Sequence, residues 1–182
     1  MNVAENGAWA IRPYEQADVR RVAELANNIK VARNLADVFP HPYTDADAEA
    51  WWTMVRDRLS TEAFAIAVDG IFAGGISWHP QGDVKRHTVL IGYWLGEPYW
   101  GRGIATWAVG AIVAHAFGAR PEMVRVCADV FGWNPASARV LEKNGFQLEG
   151  VLRRGVCKFG EYTDLLCYGL VRDEWEAVPR AV

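Results

Sequence analysis

The segment GEPYWGRGIATWAVGAIVAHAFG, Gly96 to Gly118, carries two glycines around an arginine just ahead of an apolar stretch. Because glycine has no Cβ, Gly101 and Gly103 allow consecutive backbone N–H groups to converge on one point and a ligand to come close. The start of the helix that follows adds positive potential at the same place. The segment therefore predicts a phosphate site, although a tight strand-to-helix turn that needs glycine only for its dihedral angles would use the same residues.

Two other phosphate-binding patterns do not fit this segment. A P-loop requires a Lys-Ser or Lys-Thr pair that reaches phosphate and magnesium, and the segment has none. The dinucleotide-binding fingerprint fails at its third glycine, where Thr106 stands. Both patterns are therefore excluded.

A second segment, NPASARVLEKNGF, has the residues of a helix start. Asn134 suits the N-cap and Pro135 suits the first helical position, so a helix is predicted to begin there and to stop at Asn144-Gly145. Ser137 lies in its first turn. Helix capping explains these positions completely, so the residue types alone assign them no chemistry.

Hydrophobic periodicity predicts the elements that hold these two segments. HTVLIGYWLG is typical of a long strand, a helix begins near Gly103, and MVRVCADVF is a further strand. The helix has a wide apolar face that would lie on the sheet. Its members are Ile104, Ala105, Ala108, Val109, Ile112, Val113 and Phe117.

The rest of the chain predicts the remaining layers. A strand ends at Arg12-Pro13 and a helix follows it; a second helix begins at Thr44, which with Asp47 resembles a capping box. Asp69-Gly70 closes a hairpin, and a last pair of strands turns near Gly160. The order is strand, two helices, three strands, helix, strand, helix and two strands. It predicts an α/β (α+β) fold in which a mixed sheet has helices on both faces.

Composition narrows the class of protein. At 182 residues, of which 51% are hydrophobic, we expect one domain spanning residues 1–182. A net charge of -3 leaves no basic surface for nucleic acid, so we expect no such partner. The sequence has neither an apolar run long enough for a membrane span nor an export signal, so we expect a cytoplasmic protein with no membrane partner. Three cysteines and four histidines lack metal-ligand spacing, so no metal is expected.

The strand-loop-helix IGYWLGEPYWGRGIATWAV, followed by NPASARVLEKNGFQLEG, resembles the GNAT superfamily of acetyl-CoA-dependent N-acetyltransferases. The branch that it resembles most is that of the ribosomal-protein N-terminal acetyltransferases, and the likeness runs from about Trp9 to Trp175. The resemblance implies a GNAT-like fold with a central, mostly antiparallel sheet. Two splayed parallel strands, those of Tyr93 and Val126, would lie in its middle.

The resemblance also implies how acetyl-CoA, the cosubstrate, would bind between those strands. Pantetheine would pair with the main chain at Trp94 and Leu95, and Asn134 would bond the same arm. The pyrophosphate would take backbone N–H groups of the glycine loop. That loop comprises Trp100, Gly101, Arg102, Gly103, Ile104 and Ala105. Because Trp100 stands where the family pattern has glutamine or arginine, only the main-chain contacts are expected at that position.

Catalytic residues are implied less completely. Ser137 would assist the departing thiolate, since Leu141 stands where many members have a tyrosine. Related enzymes carry carboxylates at the positions of Leu90 and Val156, so both usual bases are absent. Asp129 or water is left to take the proton of the amine. Nothing in the sequence places the other two candidates, His79 and His87, in the cleft.

The implied activity is transfer of an acetyl group to a primary amine by direct attack in a ternary complex. The amine would be the N-terminal α-amine of a protein or peptide, or that of a small molecule. Phe39, His41 and Tyr43 would line the acceptor slot, and one of the adjacent Trp51 and Trp52 would face a cleft or a partner. The missing carboxylates leave a second hypothesis, a non-catalytic acetyl-CoA sensor. Homodimer formation is left open.

Overall fold

One mixed sheet organises the computed structural model, which describes residues 2–57 and 62–177. Within these residues the sheet has eight strands in the order β1-β2-β3-β4-β5-β6-β8-β7. The strands are β1 Ala4–Asn6, β2 Trp9–Arg12, β3 Glu62–Val68, β4 Ile71–Pro80, β5 Thr88–Leu95, β6 Arg125–Phe131, β7 Gln147–Lys158 and β8 Glu161–Val171. Neighbouring strands are antiparallel except β5 and β6, which are parallel. The predicted mixed, mostly antiparallel sheet is confirmed.

The helices lie on both faces of this sheet, as expected. They are α1 Val19–Ala26, α2 Ile29–Ala32, α3 Asp45–Arg56, α4 Ile104–Ala119, α5 Pro135–Lys143 and α6 Arg172–Ala177. The helices α1 and α3 cover a cluster that includes Ala65 and Phe72, whereas α4 packs on a separate cluster that includes Ile66 and Ile76. Residues that alternate along β3 and β4 therefore point into two different cores.

Local sequence signals account for most element boundaries. Thr44 and Asp47 form the predicted capping box at the start of α3. Asp69 and Gly70 both have positive φ, at 50° and 77°, and close the β3–β4 hairpin. Gly160 likewise has a φ of 81° in the β7–β8 turn. These predictions are confirmed.

Three short elements were not predicted from the sequence. The strand β1 has three residues, and α2 and α6 have four and six. Segments of this length span fewer than two periods of an amphipathic pattern, so their signal does not rise above that of a loop. Of the three, α2 matters for function because it reaches the cavity described below.

Candidate active site

The two parallel strands part from each other in the middle of the sheet. Thr88 to Leu90 of β5 pair with Arg125 to Cys127 of β6, and beyond these residues the two strands do not pair with each other. Each strand keeps its antiparallel neighbour on the other side, β4 for β5 and β8 for β6. The edges that face each other beyond Leu90 therefore have main-chain groups without a partner strand. We call this opening the wedge.

A cavity of about 440 Å³ occupies the wedge and the space beyond it. Its volume lies within the range of roughly 300–1,000 Å³ that is typical of small-ligand sites. All ten site residues expected from the sequence line it: Trp94, Leu95, Trp100, Gly101, Arg102, Gly103, Ile104, Ala105, Asn134 and Ser137. The fold thus brings the glycine loop and the start of α5 to one place.

The glycine loop enters α4 through two residues in the left-handed region. The φ angles of Gly101 and Gly103 are 72° and 81°, so both positions favour glycine for their dihedral angles alone. A Cβ at Gly101 would meet no described atom within 4 Å, and one at Gly103 would approach only the Trp9 ring, at 3.9 Å. The space in front of the loop is therefore open to a ligand.

The amides of this loop have no acceptor in the described part of the chain. The first amide of α4 with a helical partner is that of Trp107, which donates to the carbonyl of Gly103 at 3.0 Å. The amides of residues 101–106 donate to no group in residues 2–57 and 62–177. Unsatisfied amides at a helix N-terminus, together with the helix dipole, favour an anion.

Trp100 has a structural role that the sequence did not predict. Its indole Nε1 donates to the carbonyl oxygen of Leu95 at 2.8 Å, which ties the glycine loop to the end of β5. The side chain is 42% exposed, so it covers the mouth of the cavity more than it fills its interior. The position therefore holds the loop in shape through its side chain, and its backbone N–H is already used, since it donates to the Glu97 carbonyl oxygen at 3.1 Å.

Asn134 and Ser137 meet at the first turn of α5, and Tyr93 joins them from β5. The Asn134 side chain accepts from the backbone N–H of Ser137 at 3.2 Å, as the capping pattern predicts. The Ser137 Oγ lies 2.7 Å from the hydroxyl oxygen of Tyr93. Tyr93 also lines the cavity, and sequence reasoning gave it no role. Its place in IGYWLG, on the strand that borders the wedge, was the signal available.

Positive charge is concentrated at one part of the cavity. Arg102, Arg139 and Lys143 line it, and the last two are one helical turn apart on α5. The guanidinium of Arg102 lies over the ring of Tyr99, 5.9 Å from its centroid. Neither Arg139 nor Lys143 was singled out from the sequence, although their spacing of four on a predicted helix indicates a shared face.

One of the three candidate bases lines the cavity, and the other two lie outside it. Asp129 lines it and is exposed, whereas Leu90 and Val156 leave their positions without a carboxylate. The register of β4 and β5 sets His79 beside Leu90, and its Nε2 lies 3.0 Å from the Ser77 Oγ. Burial lowers the pKa of His79, which favours the neutral ring at neutral pH. Of the three side chains proposed as bases, only Asp129 faces the cavity.

The residues expected at the acceptor slot lie apart from this cavity. Phe39, His41 and Tyr43 do not line the described cavity; Tyr43 is buried, and the Phe39 ring lies 5.4 Å from that of Trp94. Val31 of α2 and the two nearby residues Asn34 and Leu35 line it instead. Phe39 thus stands behind Trp94, whereas His41 is exposed and contacts the Phe159 ring. Trp51 and Trp52 are both half-buried against the cluster under α1.

Two other classes of site are absent from the described residues. Within residues 2–57 and 62–177, no group of three or more histidine, cysteine or acidic side chains is arranged to hold a metal ion. In the same part of the chain, no helix combines the length and the apolar character needed to cross a membrane.

Comparison with known proteins decides the family. The model of the acetyltransferase (GNAT) domain matches residues 10–147, which is more than half of the chain. The chain belongs to the GNAT acetyltransferases. This membership, with relatives that are named acetyltransferases, makes it an acyltransferase.

Individual relatives and structures agree with the GNAT assignment. YdaF of Bacillus subtilis (strain 168), provisionally named a ribosomal N-acetyltransferase, is 33% identical over 91% of this chain and 92% of its own. The ribosomal-protein-serine acetyltransferase of Escherichia coli (strain K12) is 31% identical over 66% of each chain. A structure of RimL, a ribosomal L7/L12 α-N-protein acetyltransferase in complex with coenzyme A, superposes with a TM-score of 0.82 at 21% identity, covering 96% of this chain and 99% of that chain. At that identity the last comparison shows the fold alone.

Proposed function

We propose that this acetyltransferase uses acetyl-CoA to acetylate primary amines and that it prefers α-amines, such as protein or peptide N-termini, over lysine side chains. One observation carries the proposal. The wedge brings an anion-binding loop, two unpaired strand edges and the Ser137 hydroxyl into one cavity. An elongated thioester with phosphates at one end and an acyl group at the other needs these three features.

Each part of acetyl-CoA has a partner in this arrangement. The amides of residues 101–106 take the pyrophosphate, because they are unsatisfied and stand at a helix N-terminus. The pantetheine amides bond the main chain of β5 at Trp94 and Leu95, where the Leu95 carbonyl oxygen already accepts from Trp100 Nε1 and offers its second lone pair. The Nδ2 of Asn134 donates to the same arm, since its Oδ1 is already used to cap α5. The thioester then lies near Ser137, beside Tyr93 in the open part of the wedge.

The reaction is direct transfer within the ternary complex. The nitrogen of a neutral amine attacks the thioester carbonyl, a carbon–nitrogen bond forms, and the carbon–sulfur bond breaks with its electron pair going to sulfur. The Ser137 hydroxyl donates a hydrogen bond to the departing thiolate. The proton that the amine loses passes to water or to Asp129. No covalent enzyme intermediate is needed.

The preference for α-amines follows from the absence of a strong base. At pH ~7.5 an α-amine with a pKa of about 7.8 is roughly one-third neutral, whereas a lysine side chain with a pKa near 10.4 is neutral in about one molecule per thousand. Leu90 and Val156 supply no carboxylate that would compensate for this difference. The acceptor that requires least deprotonation is therefore favoured, by about a few hundredfold at equal positioning. The names of two relatives, a ribosomal-protein-serine acetyltransferase and the provisionally named ribosomal N-acetyltransferase YdaF, agree with such a substrate.

A pair of matched peptides tests the proposal. One has a free N-terminus and no lysine, and its twin has a blocked N-terminus and one lysine. We expect release of free CoA thiol with the first peptide and a kcat/KM at least about 100-fold higher than with the second. Equal or faster reaction of the blocked peptide would exclude the preference for α-amines. No thiol release from acetyl-CoA with any of a broad panel of amines would exclude the acetyl-CoA-dependent activity itself.

A further inference from the structure

A tyrosine hydroxyl from the sheet meets the serine hydroxyl of α5 inside the wedge. The two oxygen atoms, Tyr93 Oη and Ser137 Oγ, are 2.7 Å apart, and Tyr93 Oη also lies 3.2 Å from the Ser137 carbonyl oxygen. These distances are those of hydrogen bonds between hydroxyls and to a carbonyl. Both side chains line the cavity, so the contact lies within the site and not behind it.

We propose that Tyr93 is a positioning residue for the acetyl transfer: its hydroxyl donates to the Ser137 Oγ and thereby turns the Ser137 proton towards the departing sulfur of coenzyme A. The inference rests on the function proposed above. It adds a residue for which neither the sequence motifs nor the named relatives supply a role.

The chemistry of the two hydroxyls supports this direction of donation. Burial raises the pKa of Tyr93 to about 12, against the opposing effect of its bond to Ser137 and with a small further contribution from Tyr168. The phenol therefore keeps its proton at neutral pH. That single proton can go to the Ser137 carbonyl oxygen at 3.2 Å or to the Ser137 Oγ at 2.7 Å, and the shorter distance favours the Oγ. When it donates to Ser137, the serine Oγ is an occupied acceptor, and its own proton is free to point at sulfur. Hydrogen bonds that form such a chain strengthen one another.

The arrangement suits a developing thiolate. Negative charge on sulfur strengthens the bond that the serine donates, which makes the serine oxygen a better acceptor and so strengthens the bond that it accepts from Tyr93. No proton has to be transferred along the chain, so the phenol returns unchanged after each turnover. Position 141 of α5 is a buried leucine and supplies no phenol, and the hydroxyl comes instead from Tyr93 of β5 across the wedge.

The backbone fixes both partners. Ser137 is held by the cap from Asn134, and Tyr93 belongs to the strand that β4 pairs along its whole length. A second buried tyrosine provides a matched control. Tyr168 of β8 is 3% exposed and donates to the Glu142 carboxylate of α5 at 3.1 Å, so it also anchors α5 to the sheet, but it does not contact Ser137.

The test compares Tyr93→Phe, Ser137→Ala, the double variant and the Tyr168→Phe control. Two readouts are measured: kcat and KM for acetyl transfer, and the pKa of the thiol of bound CoA, followed by the ultraviolet absorbance of its thiolate. We expect Tyr93→Phe to lower kcat by about 3- to 10-fold with KM for acetyl-CoA nearly unchanged, and to raise the pKa of the bound thiol. Tyr168→Phe should change neither quantity.

The double variant separates a positioning role from an independent one. Since Tyr93 acts through Ser137, the double variant should be no slower than Ser137→Ala alone. Multiplicative losses in the double variant, an unchanged thiol pKa in Tyr93→Phe, or equal effects of Tyr168→Phe would each overturn the inference. If Tyr93→Phe does not fold, the bound-thiol pKa in Ser137→Ala decides instead, and an unchanged value there overturns the inference as well.

The measurement on bound CoA needs no acceptor amine. A parent protein that binds CoA but acetylates nothing would therefore overturn the proposed function, while the thiol pKa would still report on Tyr93. The two failures are thus distinguishable.

Discussion

Single residues of the glycine loop make the phosphate assignment testable. Gly103→Glu would place a carboxylate where the pyrophosphate is expected, in a space that now lies open. Because like charges repel at short distance in a partly enclosed site, we expect affinity for acetyl-CoA to fall by more than about 100-fold, measured by calorimetry.

Gly160→Glu is the matched control for this change. Both glycines have a φ of 81°, so each substitution carries the same left-handed backbone strain of about 1–2 kcal/mol. Only Gly103 borders the cavity. Both variants should lose similar stability, and only Gly103→Glu should lose binding. If the folded Gly103→Glu protein bound acetyl-CoA as tightly as the parent, the loop would be a turn and not a phosphate site.

Residue identity predicted the cavity wall better than the chemistry inside it. The ten expected residues meet because strand, loop and helix starts have short-range signals, such as the glycine pair and the Asn134 cap. The bond between Tyr93 and Ser137 joins residues 44 positions apart in the chain, and no local pattern encodes such a contact. The contribution of Val31, Asn34 and Leu35 to the cavity was not predicted for the same reason, since α2 and the residues after it reach the wedge only through tertiary packing.

At the scale of elements, α5 has two faces with different tasks. Its buried side places Ala138 and Leu141 in the core, while Arg139 and Lys143 line the cavity. Acetyl-CoA is a polyanion, so these two cations should contribute to its affinity. We expect the double change Arg139→Glu and Lys143→Glu to weaken acetyl-CoA binding by about 10- to 100-fold, in a manner that fades as salt is raised.

The same reversal of charge elsewhere separates a local effect from that of net charge. Arg153 and Arg154 line a different hollow, on β7, and their double change to glutamate alters the charge of the protein equally. Affinity should stay within about twofold of the parent. A comparable loss in this control would mean that the whole field of the protein, and not α5, attracts the cofactor.

The sheet as a whole was predictable because its signals are local. Hairpins at Asp69-Gly70 and Gly160 and the long apolar helix α4 each carry a pattern in one stretch of sequence. The splay of β5 from β6 has no such pattern: Leu90 and Cys127 are the last paired residues, and nothing in either strand marks that point. The resemblance to the GNAT superfamily implied this splay, and the structure confirms it.

Ligand binding should be visible in the stability of the entire molecule. A ligand that binds only the folded state, at about 100 times its Kd, stabilises by roughly 2.7 kcal/mol. For a protein of 182 residues this corresponds to a rise in Tm of about 5–10 °C. Scanning calorimetry with acetyl-CoA should show that rise for the parent and none for Gly103→Glu. If the Tm of the parent protein were unchanged at saturating acetyl-CoA, the result would contradict the proposed cosubstrate.

The wedge also bears on how the protein stays apart from its neighbours in a crowded solution. An unpaired strand edge is normally a hazard, because another chain can add a strand to it and begin to aggregate. Here two such edges face each other in the middle of the sheet, each backed by a paired strand, with α4 and α5 packed across one face. The chain thereby keeps main-chain donors and acceptors accessible to a narrow ligand but not to a β-strand of another protein chain.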